Sequence, residues 1–96
     1  MYAGYVMMRL GPGMRSVGHN IADRFAPVYK AAKGCKGVTF FADYAAGEYG
    51  MLSLWESKED YEAFGQVALP QIDQAEAGAV KEPPFRKLFE VYEPKP

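Results

Sequence analysis

The strands of this chain are apolar on both sides, and that property limits what the chain can fold into. In residues 49–56, Leu52 and Leu54 fall on one side of the alternation, and Tyr49, Met51 and Trp55 on the other. Residues 4–10 set Val6, Met8 and Leu10 against Tyr5 and Met7, and residues 85–92 set Phe85, Phe89 and Val91 against Leu88 and Tyr92. A sheet that packs helices on one face only should be polar on the other. Leaving six such side chains in water forgoes roughly 1.5–3 kcal/mol each, about 10 kcal/mol or more together. That rivals the entire stability of a small domain.

The chain has few other ways to offset this. Its 96 residues, positions 1–96, make a single domain. A chain this short buries only about two-thirds of its unfolded surface. Small domains are reinforced by disulfides, metals or association. Cys35 is the only cysteine and His19 the only histidine, so neither an internal disulfide nor a zinc cluster is expected. No metal and no cofactor are therefore expected, and association remains. A formal charge of −1 with interleaved signs carries no basic stripe for nucleic acid. No apolar run approaches the roughly 20 residues that span a bilayer, so no membrane partner is expected. The first ten residues lack the pattern of a signal peptide, and with a free cysteine this leads to an expected cytoplasmic location.

Along the chain, strand alternation over residues 4–10 ends at Gly11-Pro12-Gly13. These glycines lack the third glycine of a dinucleotide loop and the Lys-Ser/Thr of a P-loop. Helical periodicity follows over residues 14–33, with Met14, Val17, Ile21, Phe25, Val28 and Ala32 on one stripe and a kink expected at Pro27. Gly34 is placed to end the helix. Strands are expected at 38–43 and 49–56, joined by a turn at 45–48 into an antiparallel hairpin. Ser57 then has the place of an N-cap, with Glu59 and Asp60 in the first turn. Tyr61, Phe64, Ala68, Ile72, Ala75 and Ala79 keep helical spacing, and Pro70 predicts a break near residue 69. A last strand is expected over 85–92.

This order, β-α-β-β-α-β, predicts a ferredoxin-like α+β domain. Right-handed crossovers place both helices on one face of a four-stranded antiparallel sheet. The apolar open face then calls for a partner, most simply a second copy related by a two-fold axis.

The run Leu52-Ser53-Leu54-Trp55-Glu56-Ser57-Lys58-Glu59-Asp60, followed by Tyr61 and Phe64, resembles the dimeric α/β-barrel superfamily, and within it the antibiotic-biosynthesis-monooxygenase-like domains. Ala32-Lys33-Gly34-Cys35-Lys36-Gly37 is similar to that family's helix-end segment, and Phe89-Glu90-Val91-Tyr92 to its closing strand. The resemblance covers essentially the whole chain. It implies a homodimer whose two sheets meet as a barrel, with a ligand cavity in each subunit between sheet and helices. The family's quinone-forming, cofactor-independent monooxygenases carry a tryptophan at the end of the third strand and a tyrosine six residues later, the spacing of Trp55 and Tyr61. Where those enzymes have an asparagine four residues before the tryptophan, this chain has Met51. The haem-degrading relatives carry a histidine about ten residues after the tryptophan and an asparagine on the first strand. Neither is present, so haem is not expected.

Within that frame Trp55 offers a flat wall and one N–H donor for an aromatic substrate, or else serves as a core aromatic. Tyr61 could move a proton, or pack. Arg9 could stabilise an oxyanion if its face lines the cavity, or sit at the surface. Alternation groups Tyr5, Met7 and Arg9 with Ser53 and Trp55, so Tyr5, Met7, Tyr49, Met51, Ser53 and Phe64 are candidate substrate contacts. His19 lies opposite the apolar stripe and is expected in solvent. Two functions follow: a monooxygenase-like enzyme for a small aromatic or polyketide-like substrate, or a non-enzymatic dimer that binds a small molecule or fills its interior with its own side chains. An open pocket of about 300 Å³ or more beside Trp55 would favour ligand chemistry.

Overall fold

A computed structural model describes residues 1–76 and 82–95. The chain runs β1 (Tyr2–Arg9), α1 (Arg15–Ala31), β2 (Cys35–Asp43), β3 (Glu48–Trp55), α2 (Lys58–Glu76) and β4 (Phe85–Glu90). The four strands form one antiparallel sheet in the order β2-β3-β1-β4. This is the expected ferredoxin-like order. Most boundaries differ from the sequence reading by one to three residues, and α1 ends at Ala31 rather than residue 33. β1 begins at Tyr2, β2 begins at Cys35 with a register shift before Gly37, and β4 stops at Glu90 rather than Tyr92.

Turn chemistry fixes the end of the sheet where the cavity lies. Asp43 Oδ1 accepts from the Ala46 N–H at 3.1 Å, and Tyr44 O accepts from the Gly47 N–H at 3.2 Å, which closes the β2–β3 turn. Gly47 has φ 71°, and its carbonyl accepts from the N–H groups of Leu10 and Gly11 at 2.9 and 3.2 Å. A Cβ on Gly47 would overlap the backbone of Gly11, so only glycine lets the hairpin turn press on the β1–α1 turn.

Both helices carry an internal proline. α1 contains Pro27 on its exposed side and runs unbroken from Arg15 to Ala31. α2 runs through Pro70 to Glu76 without the expected break. Ala68 and Ile72, on either side of the proline, are both buried in the core, and that packing outweighs one missing backbone hydrogen bond. Ser57 caps α2 as expected, its hydroxyl accepting from the Asp60 N–H at 3.1 Å. The side chain of Ala75 and all of Ala79 lie outside the described residues. In α1 the buried positions are Gly18, Phe25 and Tyr29, while Val28 of the expected stripe is exposed. Gly18 explains the rotation: its missing Cβ is the space that the Tyr49 ring occupies, so the helix turns that side to the sheet.

The register corrects how the strand faces were grouped. Tyr2 pairs with Trp55, Gly4 with Ser53, Val6 with Met51 and Met8 with Tyr49. Paired residues share a face, so these eight look towards the helices. Tyr5, Met7 and Arg9 look the other way, with Leu52 and Glu48. The core on the helix side joins Phe25, Tyr29, Met51, Trp55, Ala68 and Ile72. The opposite face remains apolar and open, with Phe41, Leu52, Phe85 and Phe89 all exposed.

Candidate ligand cavity

Two regions of the helix-side interior behave differently. At the end of β3, the Trp55 side chain is fully enclosed, at 0% exposure. Its indole N–H donates to Ser53 Oγ at 2.8 Å, and the Ser53 hydroxyl donates to Gly4 O at 3.4 Å. The rings of Phe64, Tyr61 and Tyr29 surround it at centroid distances of 5.0, 5.7 and 6.4 Å. The six-residue spacing does bring Trp55 and Tyr61 together, edge to face, but as a packed cluster. The void beside them, bordered by Tyr61, Phe64 and Leu69, is about 20 Å³, room for about one water.

The open space lies towards the other end of the strand. A cavity of about 180 Å³ sits between α1 and the sheet, walled by Val6, Met8, Phe25, Phe40, Tyr49 and Met51. Its volume is below the roughly 300 Å³ that would favour ligand chemistry, and Trp55 does not line it. By that measure the closed interior beside Trp55 favours the non-enzymatic reading. Tyr49 and Trp55 are six residues apart along one strand, about 20 Å. The cavity's polar side chains are few among the described residues: Tyr29, Tyr49, Tyr44, His19 and Arg86. Arg86 reaches it from β4, and also borders the small void, with its guanidinium donating to Asp73 Oδ1 at 2.8 Å. His19 and Tyr44 stand together at its rim: His19 Nε2 lies 2.9 Å from Tyr44 Oη, and both side chains are exposed. The Arg15 guanidinium covers the Tyr44 ring, with Cζ 3.8 Å from its centroid.

The sequence candidates thus separate into three groups. Tyr49 and Met51 line the cavity. Ser53, Trp55, Tyr61 and Phe64 form the packed cluster. Tyr5, Met7 and Arg9 lie on the open face, where they border a shallow groove of about 550 Å³ with Glu82, Pro83 and Phe85. There Arg9 pairs with Glu48 at 3.7 Å and Glu82 at 3.5 Å. Arg9 and Trp55 are therefore on opposite sides of the sheet, because alternation alone cannot align one strand with its neighbour.

Sequence reasoning missed Tyr44 and Arg86 and gave His19 only to solvent. Arg86 was open to discovery, since it alternates with Phe85 and so points away from whichever face Phe85 occupies. Tyr44 and His19 carried no such signal, because they meet only through the hairpin turn.

Elsewhere, Lys36 and Glu56 form an exposed ion pair at 2.7 Å. Their hydrogen bond and mutual attraction raise the Lys36 ammonium above its ordinary range and hold the Glu56 carboxyl below its own. Among the described residues no group of three or more His, Cys, Asp or Glu side chains is placed to hold a metal ion. No helix of the described residues is long and apolar enough to cross a membrane.

Strand order, register and the two helices on one face define a ferredoxin-like α+β domain with an apolar open sheet. The fold is that of the antibiotic-biosynthesis-monooxygenase-like domains, as the sequence resemblance implies. A protein of Bordetella bronchiseptica provisionally named antibiotic biosynthesis monooxygenase superposes with a TM-score of 0.79 at 19% identity, over 96% of this chain and 97% of its own. One from Nitrosomonas europaea with the same provisional name gives 0.83 at 10% identity, over 99% and 93%. A third, from Deinococcus radiodurans, gives 0.81 at 13% identity, over 100% and 97%. At such identities the likeness carries the fold alone. No family model matches the chain, and no curated protein matches it in sequence.

Proposed function

We propose that this chain is the protomer of a homodimeric, monooxygenase-like enzyme that takes a small electron-rich aromatic molecule into the cavity between α1 and the sheet. The observation that carries the reading is the cavity itself: a mainly apolar space of about 180 Å³ with a few polar side chains in its lining. An apolar cavity of roughly 150 Å³ already accepts benzene, so the ligand is of one-ring size with small substituents. Phe25, Phe40 and Met51 grip the ring, the role first given to Trp55. Arg86 faces an oxygen that becomes anionic, the role first given to Arg9. Trp55 and Tyr61 support this wall from behind.

The reaction is cofactor-independent oxygenation. A phenol loses its hydroxyl proton, and the electron-rich ring reacts with dioxygen. One oxygen atom becomes the second carbonyl of a quinone and the other leaves as water, so phenol and dioxygen give quinone and water with no external reductant. The provisional names of the structural neighbours support oxygenation as the class of reaction.

Oxygen uptake with a panel of substituted phenols, followed by isotope incorporation from labelled dioxygen, tests it. Turnover should saturate with phenol. Ala22→Phe, which places a ring into the cavity, should abolish it while the far-ultraviolet circular dichroism is unchanged. Undiminished turnover in that variant removes the cavity from the chemistry. The full enclosure of Trp55 favours a second reading, a binding protein without turnover. Saturable binding with no oxygen uptake selects that reading.

A further inference from the structure

An enzyme of this kind needs a group that removes the ligand's proton, and no carboxylate among the described residues lines the cavity. We infer that His19 and Tyr44, hydrogen-bonded at the cavity rim, form a proton-accepting pair that ionises a phenolic ligand as it binds. This rests on the cavity reading above.

Three observations converge on Tyr44. Its hydroxyl lies 2.9 Å from His19 Nε2, and in the Nδ1–H tautomer the hydroxyl donates to that nitrogen. The His19 ring stands edge-on to it, with centroids 5.8 Å apart and 74° between planes. The Arg15 guanidinium covers the face of the same ring. The hydroxyl therefore has an acceptor on one side, and the ring has a fixed positive charge over it. Tyr44 also meets Tyr49 edge to face at 5.9 Å, so the rim is continuous with the cavity wall.

The step is a relay. The ligand O–H bond breaks and its proton passes to Tyr44 Oη, while the Tyr44 proton passes to His19 Nε2. His19 keeps that proton as an imidazolium, whose charge then holds the phenolate. The products are a bound phenolate and an imidazolium beside it, and no electrons move. The charged and titratable groups facing the pair are Arg15 on the same helix, Tyr29 and Tyr49 across the cavity, and Arg86 from β4. Asp43, at the start of the turn, is held by the Ala46 N–H, and Asp73 by Arg86. Asp23, one turn after His19 on the exposed side of α1, adds an anionic charge, while Arg15 and Arg86 are cationic and favour the phenolate.

The test uses 4-nitrophenol, whose neutral and ionised forms absorb at different wavelengths, and 4-nitroanisole, which has the same ring and no ionisable proton. Spectra are recorded across pH at saturating ligand. In the intact protein, bound 4-nitrophenol should ionise about one pH unit or more below the free compound. His19→Gln and Tyr44→Phe, each checked for fold by circular dichroism, should each remove most of that shift, and either variant alone decides the matter. A shift that survives in a folded variant overturns the pair's role. Binding of 4-nitroanisole together with an unshifted 4-nitrophenol in the intact protein overturns the proton inference and leaves the cavity reading standing. Failure of 4-nitroanisole to bind overturns both.

Discussion

Trp55 shows how a single side chain can be fixed by its polar atom as much as by its size. An enclosed indole must place its N–H, and Ser53, the only buried polar residue among those described, stands two positions back on the same face to receive it. The Ser53 hydroxyl then reaches Gly4 O on β1, so the pair joins β3 to its neighbour. Gly4 lacks a Cβ where Ser53 Oγ and the Tyr61 ring approach, which leaves room for this arrangement. Trp55→Ala removes an aromatic core side chain and leaves Ser53 without its donor. A loss of about 3–5 kcal/mol is expected, read as the shift in urea-unfolding midpoint. A change under about 1 kcal/mol would mean that the cluster is not the packed wall described above. The Lys36–Glu56 pair is the opposite case. The lowered Glu56 carboxyl gives the folded state an advantage above the ordinary carboxylate range, which fades as pH falls through the lowered value. Both partners are exposed and screened by salt, so the pair does little for the fold.

At the scale of elements, what the sequence disclosed depended on whether a signal was local. Ser57 with Glu59 and Asp60 announced the start of α2 because a cap is contained within one turn. Gly34 did not end α1 as expected. The helix stops at Ala31 with Ala32 already extended, and Gly34, at φ 82°, serves the next turn, where the Cys35 N–H donates to Ala32 O. The element order and fold were legible as well, since they rest on periods within each segment. Relations between segments were not. Alternation on β1 and β3 was read correctly strand by strand, yet the register Tyr2↔Trp55 decides which sets coincide, and it placed Arg9 away from Trp55. The cavity stayed hidden for the same reason, because Tyr44 and His19 are brought together by the Gly47–Gly11 contact. Pro70 marks where a local rule yielded to packing. α2 stays helical there between Ala68 and Ile72, at the cost of the bond to the Gln66 carbonyl. Pro70→Ala restores that bond and improves helix propensity, against some gain in unfolded-chain entropy. A net stabilisation of about 1–3 kcal/mol is expected, seen as a higher midpoint in thermal unfolding. A lower midpoint would show that the core needs the proline's bend.

At the scale of the whole molecule, the open sheet face decides the assembly. Leu52 lies on β3, an inner strand, paired with Tyr5 of β1 and Thr39 of β2. Around it Tyr5 stacks with Phe41 at 6.4 Å and meets Phe85 edge-on at 6.0 Å. Helices cover only the other side, so in a single protomer Leu52, Phe41, Phe85 and Phe89 stay in water at 37, 43, 55 and 44% exposure. The proposed homodimer buries this patch against its own copy. Leu52→Glu separates assembly from folding, because the position is solvated in a lone protomer and dry in a dimer. The carboxylate then costs the monomer little, while two such charges brought together across a two-fold axis cost the dimer several kcal/mol. Sedimentation equilibrium should show the native chain as a dimer at micromolar concentration and Leu52→Glu as a folded monomer. Val67→Glu, on α2 at 69% exposure, should remain dimeric. A monomeric native chain, or a Leu52→Glu variant that still pairs, would mean that this face is satisfied in some other way, and the proposed barrel would not form through it.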